Sequence, residues 1–92
     1  MQIRIESNFV IPGLKGEDGL VLEEENTLRQ LLARVEGLSG LDFFPGGSEV
    51  LDPDDWEVDI NNVPHYSCEK RLETVLKEAD LVVIRVVATG GG

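Results

Sequence analysis

The chain has 92 residues, 41% of them hydrophobic, and its 8 Lys and Arg against 18 Asp and Glu give a formal net charge of −10. That length fits one small domain and argues against a deep substrate pocket, and the charge excludes the basic patch that non-specific nucleic-acid binding needs. One cysteine precludes an internal disulfide, and no stretch approaches the ~20 apolar residues of a membrane span or resembles a signal peptide, so a cytoplasmic protein with a basic protein partner, no nucleic acid and no membrane is expected.

From Gln2 to Phe9 polar and apolar residues alternate, placing Ile3, Ile5 and Phe9 on one face of a half-buried strand. Pro12, Gly13, Gly16 and Gly19 mark a loop, and Leu20 to Glu24 reads as an antiparallel returning strand. Asn26 or Thr27 can cap a helix, and Thr27 with Gln30 has the spacing of a capping box, in which each residue satisfies a free amide of the other. Behind it Leu28, Leu31, Leu32 and Val35 form one apolar helical stripe, which Gly37 and Gly40 are expected to end.

Residues 38–55 contain Pro45, Gly46, Gly47 and Pro53 with little periodicity, a long loop with Phe43 and Phe44 as anchors. Trp56, Val58 and Ile60 alternate inward along a third strand, and Asn61-Asn62 supplies a tight turn because asparagine tolerates positive φ. Leu72, Val75 and Leu76 predict a short helix over 69–77. Leu81 to Val87, β-branched and almost wholly apolar, suits a central strand leading into Ala88-Thr89-Gly90-Gly91-Gly92. On that strand Arg85 should face solvent with Leu81, Val83 and Val87, leaving Val82, Ile84 and Val86 in the core. The exposed apolar residues beside the tail form a candidate docking patch, unless another segment such as the Phe43-Phe44 loop covers them. The acidic groups Glu23 to Glu25 and Asp52 to Asp59 either steer a basic partner or only solubilise.

Two stretches carry a family resemblance. Val58-Asp59-Ile60-Asn61-Asn62 is similar to Val-x-Val-Asn-Gly, and Leu76 to Ile84 is similar to Leu-x-x-Gly-Asp-x-Val-x-Ile, both motifs of the ThiS/MoaD family of ubiquitin-like sulfur carriers. The chain departs from the family at Asn62 and Ala79, where glycine is frequent, in lacking a proline before the tail, and in the long loop. The resemblance implies an α+β fold, a ubiquitin-like β-grasp with a mixed sheet of four to five strands on one main helix, spanning residues 1–88 with a flexible tail at 89–92.

It further implies a carrier and not an enzyme: the Gly92 carboxylate is adenylated with ATP by a ubiquitin-activating-type enzyme, then converted with a sulfurtransferase to a thiocarboxylate. The sulfur would go to a cofactor precursor, as in molybdopterin or tungstopterin synthesis, where the partner is the synthase large subunit. No cofactor is bound; ATP belongs to the activating enzyme. Thr89, Gly90 and Gly91 would thread the partner's channel, since residues without a Cβ approach backbone and phosphate closely. Rival readings are a ubiquitin-like modifier joined through Gly92 to lysines, a β-grasp interaction module whose tail is never activated, and a frayed end without function.

Asp52 to Glu57 lacks the glycine and terminal glutamate of a calcium loop. His65 and Cys68, three apart, supply too few ligands for a metal and no third group to orient a base, so structural roles are expected for both.

Overall fold

The computed structural model describes residues 2–13, 20–22, 26–52 and 54–87. Among them are strands β1 (Gln2–Ser7), β2 (Leu20–Val21), β3 (Trp56–Ile60), β4 (Val63–Pro64) and β5 (Leu81–Val86), and one α-helix, α1 (Leu28–Ser39). The strands form one mixed sheet in the order β2-β1-β5-β3-β4, with β5 parallel to β1 and every other pairing antiparallel. The molecule is thus a small α+β domain.

The alternation read in β1 is realised: Ile3 and Ile5 are buried while Gln2, Arg4 and Glu6 are exposed. Val58 and Ile60 from β3 and Val82 and Ile84 from β5 point to the same side, where Leu28, Leu31, Leu32 and Val35 of α1 join them in one buried cluster. Each such side chain, fully buried, contributes about 1.5–3 kcal/mol. The helix opens on the expected capping box: Gln30 N donates to Thr27 Oγ1 over 3.2 Å and Thr27 N donates to Gln30 Oε1 over 2.8 Å. It closes at Gly40, whose φ of 77° lies in the left-handed region. Gly37 does not end it but sits inside it, on the exposed side.

The β1–β2 connection passes Gly13 at φ 80°, where a Cβ would stand 2.5 Å from the Leu38 carbonyl oxygen; only glycine fits that approach to the end of α1. The returning strand is shorter than expected, Leu20–Val21, with Leu22 buried beyond it and residues 23–25 outside the described set. Asn61 and Asn62, at φ 51° and 69°, form the two-residue turn between β3 and β4.

The helix expected over 69–77 does not form. A single 3₁₀ turn at Arg71–Glu73 is followed by extended backbone, with Val75 bridging Thr27. The N-terminus of α1 takes up this segment's backbone: Leu28 N donates to Thr74 O over 3.0 Å, and Leu76 N to Asn26 O over 2.8 Å. Accepting from the free Leu28 amide at the start of α1, and finding an acceptor for Leu76 N in Asn26 O, outweigh a nine-residue helix that would be marginal alone. Leu72 and Leu76 are buried, as a helix would also have placed them, but Val75 is 49% exposed.

The long connection after α1 is anchored by two side chains. Phe43 is fully buried with its ring edge-on to Trp56 at 4.6 Å, and Leu51 joins the same cluster. Phe44 lies under the Arg29 guanidinium, 5.6 Å from ring centroid to Cζ.

Candidate functional site

The residues singled out by sequence converge on β5. Its first residue is fixed by the turn before it: Asp80 Oδ2 accepts from Lys77 N at 2.7 Å, and Asp80 Oδ1 accepts from Asn61 Nδ2 at 2.9 Å. Asn61 in turn accepts Leu81 N on its side-chain oxygen at 2.9 Å and donates its own amide to Leu81 O at 2.7 Å. Ala79, at φ 67°, occupies the left-handed position in this turn.

The far end of β5 is held from both sides. On the β1 side the Asn8 amide brackets Val86, donating from Nδ2 to Val86 O at 3.1 Å and accepting Val86 N on Oδ1 at 2.9 Å. On the β3 side Val87 N donates to Asp55 O at 2.8 Å. Asn8 therefore does for Val86 what a further residue of paired strand would do, and the backbone is fixed up to Val87. Sequence reasoning missed Asn8, which alternation marks only as outward and polar. The signal was a side-chain amide, which can donate and accept at once, placed just past a strand. Thr89, Gly90, Gly91 and Gly92 lie outside the described residues.

On the face away from α1, register sets Arg4 beside Leu81 and Glu6 beside Val83, with Asp59 and Glu57 opposite Val83 and Arg85. Leu81 and Val83 do share this side with Arg85, while Val87 lies just past β5; all four are half-buried, so the open apolar patch expected there is instead a short apolar strip between charged side chains. The Phe43-Phe44 loop is not its cover, since Phe43 is in the core on the other side of the sheet. Val86, expected in the core, is 41% exposed at the end of β5.

Arg85 is not a free cation. Its Nη2 donates to Asp59 Oδ2 in a very short contact and to Glu57 Oε1 at 3.2 Å. These hydrogen bonds, Asp59's first and Glu57's second, raise the guanidinium pKa above its ordinary value. Asp59 is buried, and its other oxygen, Oδ1, has no hydrogen-bond partner among the described residues.

His65 and Cys68 take structural contacts: His65 Nδ1 lies 3.0 Å from Val58 O, and Cys68 Sγ lies 3.8 Å from Pro64 O. No three His, Cys, Asp or Glu side chains among the described residues are grouped to hold a metal ion, and no helix there is long and apolar enough to cross a membrane. Val87 also lines a cavity of about 570 Å³ at this end of the sheet. Compared with models of protein families, with curated proteins and with solved structures, the chain matches none of them.

Proposed function

We propose that the chain is a ubiquitin-like β-grasp protein that works as a sulfur carrier through the carboxylate of Gly92, delivering sulfur to a cofactor precursor of the molybdopterin type. The observation that carries this reading is the placement of β5. It is a central strand, parallel to β1, anchored on both sides at Val86 and Val87, and the sequence then runs within two residues into Gly90-Gly91-Gly92. A fixed base allows a partner that binds the domain to direct the glycines to one place. The strand order around a single capped helix supports the β-grasp reading, as does the positive φ of Ala79 at the family's glycine position.

The chemistry needs an activated acyl group, because a carboxylate ionised at neutral pH resists nucleophiles. In a cognate adenylating enzyme the Gly92 carboxylate attacks the α-phosphorus of ATP and pyrophosphate leaves. The terminal sulfur of a sulfurtransferase persulfide then displaces AMP, and a thiol reduces the resulting acyl disulfide to release the thiocarboxylate. This requires a free carboxylate at Gly92, as translated or after processing. The strip of Leu81, Val83 and Val87, with Arg85, is the surface we assign to the partner beside the tail.

Intact-mass measurement of the protein from its own host, before and after incubation with ATP, an adenylating enzyme and a persulfide donor, tests the reading. Replacement of one oxygen by sulfur, abolished by deleting Gly92 and impaired by Gly91→Ala, is the expected result. An adenylate that is never sulfurated, together with lysine conjugates in extract, would replace the carrier with a protein modifier. No adduct with any candidate enzyme would leave a β-grasp interaction module.

A further inference from the structure

The cavity beside Val87 opens between the start of β3, the segment around Leu51 and the 3₁₀ turns at His65–Ser67 and Arg71–Glu73. Its volume of about 570 Å³ is within the range that encloses a small organic ligand. The apolar lining is Val50, Leu51, Trp56, Leu72 and Val87, and Trp56 is held in place by Phe43 and by Phe9 at 5.7 Å. Into this apolar lining four polar side chains are set, and their partners decide what the cavity can accept.

Glu57, 3.2 Å from Arg85, shares that one guanidinium with Asp59, so its charge is only partly answered. His65 has Nδ1 against the Val58 carbonyl, which can only accept; Nδ1 therefore carries the hydrogen, and in the neutral ring Nε2 presents a lone pair. Tyr66 is 63% exposed and adds a hydroxyl. Arg71 makes no ion pair among the described residues, where Arg29 and Arg85 each do. Arg71 is exposed, as are Arg4 and Arg34, which also make no ion pair among the described residues, but of these three only Arg71 lines the cavity. It also sits at φ 49°, a conformation that costs a residue with a Cβ about 1–2 kcal/mol.

We infer that this cavity binds a small aromatic carboxylic acid, with its ring among Trp56, Leu51 and Leu72 and its carboxylate on the Arg71 guanidinium. The planar fork of arginine matches a carboxylate bidentately, and the Tyr66 hydroxyl supplies a further donor. His65 Nε2 accepts from a hydroxyl or N–H on the ring. A single cation within a strongly acidic molecule selects a monoanion over a polyphosphate, whose charge the surroundings would repel. The inference is independent of the state of Gly92.

Trp56 is the sole tryptophan, so the one indole N–H signal in a ¹H–¹⁵N spectrum reports on the cavity directly. Titration with 2-naphthoate should shift it saturably together with the Leu51 and Leu72 amides, and 2-naphthamide, equal in shape without the charge, should bind about 10-fold more weakly. Arg71→Asn should bring the acid down to the amide's affinity while leaving the amide's affinity and the melting temperature undiminished, because asparagine tolerates positive φ. Arg71→Lys should retain part of the preference. No saturable shift with the acid, equal binding of acid and amide by the unmodified protein, or equal loss of both probes in the variants would each overturn the inference.

Discussion

Asp59 is buried with one carboxylate oxygen on Arg85 and the other without a hydrogen bond among the described residues, so its compensation comes chiefly through one guanidinium. Arg85→Gln removes the charge and leaves the carboxylate buried; the expected loss is about 1.5–3 kcal/mol, the range for a charged hydrogen bond, read from urea unfolding. Adding Asp59→Asn should recover most of it. A double variant no more stable than Arg85→Gln would mean that the arginine acts through packing instead. The pair raises the Arg85 pKa, so its contribution is fully present below the ordinary arginine value and is lost only as pH rises through the elevated one; across the neutral range the arginine's own titration leaves the effect of the substitution constant. That Arg85 faces away from α1 was legible from alternation. Its partners were not, because they depend on the register of β3 against β5, which a single sequence does not reveal.

At the scale of elements, what was legible follows from how many residues carry the signal. Helix α1 has a four-residue stripe and a capping box, and both were found; its end was read only to within Gly37 and Gly40, of which Gly40 alone takes the left-handed conformation. Gly37 is helical, exposed, and has nothing within 4 Å of where a Cβ would stand. Gly37→Ala should therefore raise the denaturation midpoint by the equivalent of about 0.5–1 kcal/mol with an unchanged slope. A fall in midpoint would show that this stretch is not helical in solution. Strand β4 spans only Val63–Pro64, too short for a periodic signal. The segment 69–77 was misread because burial of Leu72 and Leu76 fits a helix equally well, and the deciding contacts with Asn26 and Leu28 lie far away in sequence. The candidate site divides in the same way. Leu81, Val83 and Arg85 share one face as alternation predicted, whereas the Asn8 clamp and the Arg71 cavity join residues that only the folded chain brings together.

For the molecule as a whole, length argued against a deep pocket, and that argument holds for the core between sheet and helix, where nine large side chains among the described residues are almost wholly buried. The cavity escapes it by lying beyond that core, where two 3₁₀ turns and the segment near Leu51 meet the end of the sheet. Topology has another outcome, in the response to force. Because β1 and β5 are adjacent and parallel, tension between residues 2 and 87 drags the two strands in opposite directions along their length and loads their hydrogen bonds together. Tension between Trp56 and Val86, which face each other across antiparallel strands, opens the β3–β5 pairing from one end, bond by bond. Single-molecule extension through the first pair of attachment points should therefore need the larger rupture force at equal loading rate, and equal forces would contradict the parallel pairing. A partner tugging on the chain beyond Val87, against an anchorage at the start of β1, would meet the domain in its mechanically stiffest direction.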